Sequence, residues 1–197
     1  MKIIILGGFL GSGKTTVLLQ LAPYLAGCSN SGKNPSVVVL ENEISVTDVD
    51  TKLLQSRNLT TRNLAAGCIC CTSSAQLVDS VQAIARDFDP DYLIVEATGM
   101  AYPDSIQETL EKETPYPTKM AALVDASRWR KLKLAMPMFV QSQLRCADVV
   151  YVNKADLADP LRLPKLCEEL ADLAKGAPVC AVSAIGGLDP QVFSVLK

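Results

Sequence analysis

A glycine-rich segment near the amino terminus carries residues whose types and spacing suit phosphate binding. The segment is Gly8-Phe9-Leu10-Gly11-Ser12-Gly13-Lys14-Thr15-Thr16. It matches the pattern G-x-x-x-x-G-K-[ST], in which glycines let backbone N–H groups face phosphate oxygens and the next helix adds partial positive charge. Lys14 would reach the β- and γ-phosphates, and the Thr15 hydroxyl would ligate Mg²⁺. We predict a nucleotide site formed by the whole segment except Phe9 and Leu10.

An acidic residue follows an apolar segment further along the chain. Residues 92–95 suit a buried strand, and Glu96-Ala97-Thr98-Gly99 comes directly after them. A carboxylate at the tip of an apolar strand is unfavourable unless something binds it. In a protein with a phosphate loop this position serves the Mg²⁺ shell, directly or through water, and Gly99 can offer its N–H to a γ-phosphate. The alternative is an ordinary acidic residue that ends a strand.

The pattern N-K-x-D follows a late apolar segment and suits recognition of guanine. A carboxylate at Asp156 can accept from the ring N–H and the exocyclic amine of guanine, whereas adenine presents an acceptor there and is rejected. Asn153 would face the other edge of the base, and the stem of Lys154 would lie along it. Ser183 and Ala184, after the last apolar segment, fit a backbone contact to the same base. GTP is therefore the expected nucleotide.

Three thiols lie within four residues, at Cys68, Cys70 and Cys71. If the chain turns there, they can converge on one cation, and thiolates favour Zn²⁺, Co²⁺ or Cu⁺ over Mg²⁺. A closed structural zinc site usually takes four ligands, and the chain contains no histidine. An incomplete, accessible site suits a metal that must be released. A redox-active cluster, or buried thiols packed near the nucleotide, are the alternatives.

Length, composition and charge limit the classes of protein. The 197 residues suit one domain with a substantial core, and 49% hydrophobic with 5% aromatic residues suits helices on a parallel sheet. A net charge of −2 gives no sign of binding to nucleic acid or to an anionic membrane. No stretch resembles a signal peptide or a membrane span. We expect a cytoplasmic protein with reduced cysteines, so that clustered ones indicate metal.

Strand-like and helix-like segments alternate, and this alternation would bring the motifs together. Strands are predicted at residues 1–6, 36–40, 92–95, 119–124, 149–152 and 178–182. Helices are predicted at residues 16–25, 75–88, 104–113, 139–146 and 161–175. The pattern predicts an α/β fold of the P-loop NTPase type, a doubly wound and mostly parallel sheet with helices on both faces. Such sheets bind ligands at the carboxyl ends of their strands, where the three nucleotide motifs fall.

Isolated cysteines are predicted to be structural. Cys146, Cys167 and Cys180 fall in apolar patterns and are expected to be small core residues, whereas Cys28 is expected in a loop.

Taken together, the motifs resemble those of the CobW-type GTPases, relatives of the nickel chaperones HypB and UreG. The resemblance covers most of the chain and rests on residues 8–16, Glu41-Asn42-Glu43, Gly67-Cys68-Ile69-Cys70-Cys71-Thr72, Glu96-Ala97-Thr98-Gly99 and Asn153-Lys154-Ala155-Asp156. It implies the fold of dimerising P-loop GTPases and the loading of metal into a client or cofactor pathway. It also implies that the nucleotide state controls the cysteine segment, which lies between the two switch regions.

The chain differs from the family pattern at residues 44–46, in the first switch region, and in lacking segments that longer members have. The family usually has Phe-Gly-Glu after Asn-Glu and then an Asp, whereas here residues 44–46 are Ile-Ser-Val. Asp50 keeps the family spacing, but Val46 replaces the second switch glutamate. The histidine-rich segment and the separate carboxyl-terminal domain of longer members are absent from the sequence. We expect a single GTPase domain over residues 1–197, which either recognises its client itself or is part of something larger.

The family pattern also suggests how GTP would be hydrolysed. Lys14, Mg²⁺ and the loop amides would stabilise charge developing on the phosphates. Met100 rather than a glutamine follows Gly99, so a switch carboxylate must position the attacking water. Asp50 is the first candidate for that role and Glu43 the second. Slow turnover follows, with acceleration by a partner or by a nucleotide-dependent homodimer.

The expected function is slow, Mg²⁺-dependent GTP hydrolysis coupled to binding and delivery of a transition metal, Zn²⁺ or Co²⁺. The expected partner is a client metalloprotein or a cofactor-assembly enzyme. One alternative is a nucleotide-gated metal sensor or store, and another is a GTPase that activates a corrinoid or other metalloenzyme. A small-molecule kinase is a further alternative, which the N-K-x-D pattern and the few arginines near the strand ends disfavour.

Overall fold

One parallel sheet lies at the centre of the protein. The computed structural model describes residues 1–29, 32, 35–41, 60–63, 74–97, 99 and 101–197. The strands of these ranges are β1 (Lys2–Gly8), β2 (Val37–Glu41), β3 (Thr60–Asn63), β4 (Tyr92–Glu96), β5 (Thr118–Asp125), β6 (Val149–Asn153) and β7 (Val179–Ala181). They form a seven-stranded sheet in the order β3-β2-β4-β1-β5-β6-β7. Every pairing within it is parallel.

Helices connect the strands. They are α1 (Lys14–Cys28), α2 (Ser74–Phe88), α3 (Pro103–Glu113), α4 (Trp129–Ala135), α5 (Pro137–Leu144) and α6 (Leu163–Leu173). Three short 3₁₀ helices cover Ala155–Leu157, Ala184–Gly186 and Pro190–Leu196. In the part of the chain that the structure describes, none of these helices has the length and apolarity needed to cross a bilayer.

The central strand β1 divides its side chains between two cores. Ile3 and Ile5 belong to the core formed with α2, α3, α5 and α6, whereas Ile4 and Leu6 belong to the core formed with α1 and the last 3₁₀ helix. All four side chains are fully buried. A strand covered on both faces is apolar at consecutive positions, which explains why its sequence shows no alternation.

The chain winds outward from β1 in both directions. It passes through α1 to reach β2 on one side of β1, and later through α3 from β4 to β5 on the other. Because crossovers between parallel strands are right-handed, the two directions place their helices on opposite faces. The predicted α/β fold, a doubly wound sheet with helices on both faces, is therefore confirmed. The reversal of direction next to β1 is where open sheets of this kind bind ligands.

The register brings the carboxyl ends of four strands to one edge. Leu6 pairs with Glu96, Gly8 with Leu123, and Asp125 with Asn153. Since parallel strands all end at the same edge, the phosphate loop after β1, the acid that ends β4 and the polar residues that end β5 and β6 become neighbours.

Two local predictions differ from the structure. Strand β3 was not predicted, because its sequence Thr-Thr-Arg-Asn contains no apolar residue and its pairing with β2 is a tertiary feature. Cys28 is the last residue of α1 and does not lie in a loop.

The other described cysteines pack against the two cores but remain partly exposed. Burial raises the pKa of the Cys146 thiol to about 11, and burial also raises the pKa of Cys167 and of Cys180. These three thiols are therefore protonated and poorly nucleophilic near neutral pH, as expected of structural cysteines.

The central position of β1 predicts a large loss of stability when its side chains are truncated. Ile4→Ala removes a fully buried side chain and should lower the free energy of unfolding by about 2–5 kcal/mol. Leu161→Ala serves as the control, because Leu161 is 90% exposed and its truncation should change stability by less than about 0.5 kcal/mol. Urea unfolding followed by circular dichroism measures both. Equal losses in the two variants would contradict the placement of β1.

Candidate functional site

A cavity at the carboxyl edge of the sheet gathers most of the residues assigned from the sequence. Its volume is about 330 Å³, which falls in the range of small-molecule sites. The lining residues are Leu10, Gly11, Gly13, Lys14, Thr15, Thr16, Glu96, Asn153, Lys154, Asp156, Leu157, Ser183, Ala184 and Ile185. The loop after β1, the end of β4, the turn after β6 and the segment after β7 thus enclose one space.

The phosphate loop passes directly into α1. Gly13 is the N-cap of this helix, with φ of 97°, and a Cβ there would lie 2.2 Å from Asn153 Nδ2. Both the left-handed backbone and the close contact therefore require glycine. The first N–H groups of a helix lack intrahelical partners, and here they belong to residues that line the cavity. This end of the cavity is suited to an anion.

Lys14 brings a positive charge to this end of the cavity. Its side chain is buried, and Nζ donates to Gly8 O across the loop at 3.0 Å. A phosphate would offer this ammonium a charged acceptor in place of a neutral carbonyl, and such bonds are roughly twice as strong. The cavity therefore fits the phosphate chain of a nucleotide.

Thr15 and Glu96 lie side by side, as the motifs require. Thr15 Oγ1 donates to Glu96 Oε1 at 3.2 Å. A hydroxyl and a carboxylate are oxygen ligands of the kind that Mg²⁺ prefers. Gly99 lies against Leu10 of the loop, where a Cβ would come within 2.7 Å of Leu10 N. The backbone of Gly99 is thus close to the phosphate loop.

Asn153 links the phosphate end of the cavity to its other end. Its Nδ2 donates to Ser12 O at 2.8 Å, and its Oδ1 accepts from the Ala184 N–H at 2.9 Å. The side chain is 3% exposed. The bond to Ser12 uses one of the two Nδ2 hydrogens, so the amide can support the loop and still donate to a base. Contact of Asn153 with a base remains a prediction.

Lys154 spans from β6 to the phosphate loop. Nζ donates to Gly11 O and to Asp125 Oδ2, both at 2.7 Å. Lys154 takes a left-handed φ of 59° and lines the cavity. Contact of its stem with a base remains a prediction.

Asp125 was not predicted to be a site residue, although it follows an apolar segment just as Glu96 does. Burial works to raise the pKa of Asp125, but hydrogen bonds from Lys154 and Ser127 outweigh burial and hold the pKa below its usual value. The carboxylate is 2% exposed and also lies 3.8 Å from Arg128 Nε. The Asp125 carboxylate thus holds the Lys154 ammonium in place. Its position directly after an apolar segment is the feature of the sequence that could have identified Asp125 as a site residue.

The far end of the cavity is wider and more exposed. Asp156 is exposed, and Leu157 and Ile185 flank the opening with 64% and 85% of their surface exposed. A carboxylate between two apolar side chains suits a flat heterocycle with N–H groups at its edge. Ser183 and Ala184 also line this end, but the Ala184 N–H is donated to Asn153.

Gly8 and Ser12, two residues of the loop segment, do not line the cavity. A Cβ on Gly8, whose φ is 147°, would come within 2.6 Å of Leu123 O and 2.7 Å of Ser12 Oγ. Ser12 is 1% exposed, and its Oγ is one of the buried polar atoms without a hydrogen-bond partner among the described residues. Gly8 therefore allows β1 to lie close to β5 and to Ser12, and Ser12 is buried within the loop.

Several assigned residues lie outside the described part of the chain. They are Glu43, Asp50, Cys68, Cys70 and Cys71. The metal site and the catalytic carboxylates therefore remain predictions. Within the described ranges, no three His, Cys, Asp or Glu side chains are grouped as ligands for a metal ion.

Comparisons with known proteins show the family to which the chain belongs. The family model for the CobW/HypB/UreG nucleotide-binding domain matches residues 2–181. The zinc chaperone YjiA of Escherichia coli K12 is 32% identical over 193 residues, which cover 93% of this chain and 58% of that protein. The zinc-regulated GTPase metalloprotein activator 1 of Dictyostelium discoideum is 33% identical over 83% of this chain and 42% of that protein. The chain thus spans about half the length of these relatives.

The fold is also similar to that of a solved structure. The hydrogenase maturation factor HypB of Archaeoglobus fulgidus superimposes with a TM-score of 0.70 at 15% identity, covering 97% of this chain and 85% of that one. At this identity the likeness concerns the fold alone. Because the family model spans nearly the whole chain, and the cavity assembles the motifs that define a nucleotide site, the chain belongs to the CobW/HypB/UreG nucleotide-binding domain family.

Proposed function

We propose that this chain binds GTP with Mg²⁺, hydrolyses it slowly and couples the nucleotide state to binding and delivery of a transition metal. The observation that carries the proposal is the presence of Lys14, Glu96 and Asp156 in one cavity of about 330 Å³. These three residues come from the phosphate loop, the end of β4 and the turn after β6. Each supplies a different part of the chemistry that a Mg²⁺–GTP complex needs.

At the phosphate end, Lys14 and the N–H groups that begin α1 bind and orient the phosphates. Thr15 and Glu96, joined at 3.2 Å, are the residues that would hold Mg²⁺, which neutralises charge on the β- and γ-oxygens when bound. Gly99, close to Leu10, offers its N–H to the γ-phosphate. Lys14 stabilises the charge that develops as the bond to the γ-phosphoryl group lengthens. The water is positioned by a switch carboxylate, Asp50 or Glu43.

At the base end, Asp156 distinguishes guanine from adenine. Its carboxylate accepts from the ring N–H and the exocyclic amine, and both bonds are charge-assisted. Lys154, fixed between Gly11 O and Asp125, keeps its stem along one face of the base. Asn153 faces the other edge of the base, and Ser183 and Ala184 lie beside the same base.

The transition metal binds, on this proposal, to Cys68, Cys70 and Cys71. Zinc is the favoured metal because the E. coli relative is named a zinc chaperone, and Co²⁺ is the other candidate from thiolate chemistry. A client metalloprotein or a cofactor-assembly enzyme receives the metal in the cytoplasm. A nucleotide-dependent homodimer is a further element of the proposal, whereas nucleic acid and membranes have no role in it. One GTPase domain over residues 1–197 would perform all of these steps.

A second candidate function is activation of a metalloenzyme without delivery of the metal. It is supported by the name of the D. discoideum relative, a zinc-regulated GTPase metalloprotein activator. In this case zinc bound at the three thiols would regulate GTP hydrolysis and would remain on the protein during turnover. Retention or release of zinc after hydrolysis therefore separates the two functions.

The base end can be tested by exchanging one carboxylate oxygen for an amide nitrogen. Asp156→Asn should lower the affinity for GTP about 100-fold, because two hydrogen bonds to a charged acceptor are lost or weakened. The same variant should gain affinity for XTP, since xanthine presents a carbonyl where guanine has its amine. Asp172→Asn is the control, because Asp172 is exposed on α6. Unchanged GTP affinity, measured by calorimetry, would exclude a guanine-reading role for Asp156.

The Mg²⁺ shell can be tested at Glu96. Glu96→Gln should raise the Mg²⁺ concentration needed for half-maximal GTP hydrolysis by about 10–100-fold, because oriented carboxylates around a metal have effects of this size. Phosphate release over a Mg²⁺ titration measures this, with Glu168→Gln on the exposed surface of α6 as control. A variant with the same Mg²⁺ dependence as the unsubstituted chain would show that Glu96 serves only to end β4.

Coupling between nucleotide and metal is tested by equilibrium dialysis of Zn²⁺ with a GTP analogue, with GDP and without nucleotide. We expect Zn²⁺ affinity to differ at least about tenfold between the nucleotide states, a coupling free energy typical of linked sites. Cys70→Ala should abolish the nucleotide-dependent site, whereas Cys167→Ala, which alters a partly exposed cysteine of α6, should leave it intact. Zn²⁺ affinity that is independent of nucleotide would rule out delivery driven by GTP, even with GTP binding intact.

A further inference from the structure

We propose that Gln20 of α1 is a positioning residue for the base: it holds residues 183–188 in place and thereby sets the affinity of the cavity for guanine nucleotides. The inference rests on the proposed function, because it concerns the base end of the same cavity. Gln20 carries no motif signal in the sequence, since it lies inside a helix beyond the phosphate loop.

Both polar groups of the Gln20 side chain contact the segment after β7. Nε2 donates to Ala184 O at 2.9 Å, and Oε1 accepts from the Leu188 N–H at 2.7 Å. A second bond from Nε2 to Thr16 O, at 3.1 Å, ties the amide to its own helix. Gln20 therefore holds the segment at two points four residues apart.

The segment after β7, residues 183–188, contains only one short 3₁₀ helix, Ala184–Gly186, so side-chain contacts from other elements contribute to its position. It follows β7, a three-residue strand at the edge of the sheet. Gly186 and Gly187 are both exposed, and Gly187 has a φ of 85°. Glycines lose more conformational entropy on ordering than other residues do, so polar contacts must fix the segment if it is to present a defined surface to a base.

Both backbone polar groups of Ala184 are bonded to side chains from other elements, Asn153 of β6 and Gln20 of α1. Its N–H is donated to Asn153 Oδ1, and its carbonyl accepts from Gln20. Asn153 also binds Ser12 O. These contacts connect the segment after β7 to the phosphate loop and to α1. The base end is thereby positioned relative to the phosphate end.

The helix between these contacts acts as a spacer. Lys14, in the first turn of α1, lies at the phosphate end, and Gln20 lies six positions later, about 9 Å along the axis at the usual rise of a helix. Since α1 is packed on the sheet through Val17, Leu18 and Leu21, which are fully buried, this separation is constant. The phosphate end and the base end of the cavity are therefore held at a fixed distance from each other.

Substitution of Gln20 tests the inference. Gln20→Met keeps the length and helix propensity of the side chain but removes its hydrogen bonds, so affinity for GTP and GDP should fall about tenfold. Affinity for Mg²⁺–tripolyphosphate, which has no base, should stay within twofold. Gln20→Glu keeps the acceptor for Leu188 N–H but sets a carboxylate against Ala184 O, so it should also weaken GTP binding. Calorimetry on the 197-residue chain measures all three ligands.

The controls separate positioning from general damage. Gln82→Met changes the same residue type at an exposed position of α2 and should bind all three ligands like the unsubstituted chain. Equal GTP affinity in Gln20→Met and the unsubstituted chain would overturn the inference alone. A parallel loss of tripolyphosphate affinity or of the melting transition in both Gln20 variants would also overturn it. Failure of the unsubstituted chain to bind GTP would overturn the proposed function together with the inference.

Discussion

The parallel pairing of β1 between β4 and β5 is the constraint on which the site depends. Parallel strands end at one edge, so the loop after Gly8, the carboxylate of Glu96 and the polar ends of β5 and β6 must meet there. The pairing is maintained by two cores, to which β1 contributes alternate side chains. The free energy of burying these apolar residues therefore also keeps charged groups close together at the edge.

Lys14, Lys154 and Asp125, three charged groups around the phosphate loop, each form a hydrogen bond within the protein. Lys14 Nζ bonds Gly8 O, and Lys154 Nζ bonds Gly11 O and the buried carboxylate of Asp125. Asp125 remains ionised although it is buried, because Lys154 and Ser127 lower its pKa more than burial raises it. Buried charge without such partners would be strongly unfavourable. The loop is thus preorganised for an anion at its centre.

The two ends of the cavity are joined through α1 and Asn153. Asn153 reaches both Ser12 and Ala184, and Gln20 reaches the same segment from the helix. The phosphate loop and the segment after β7 are therefore connected through the side chain of Asn153, and that segment is also bonded to α1, the helix that follows the loop.

Local patterns along the chain predicted most of the helices and strands, the phosphate loop, Glu96 and the N-K-x-D turn, since each depends on local spacing and on apolar runs. Tertiary packing then decided which of these groups line the cavity. It left Ser12 off the cavity wall, joined Asp125 to Lys154 and brought Gln20 into contact with the segment after β7. Their contacts join residues far apart in the chain, and such pairings follow from strand order and register, which local propensities do not encode.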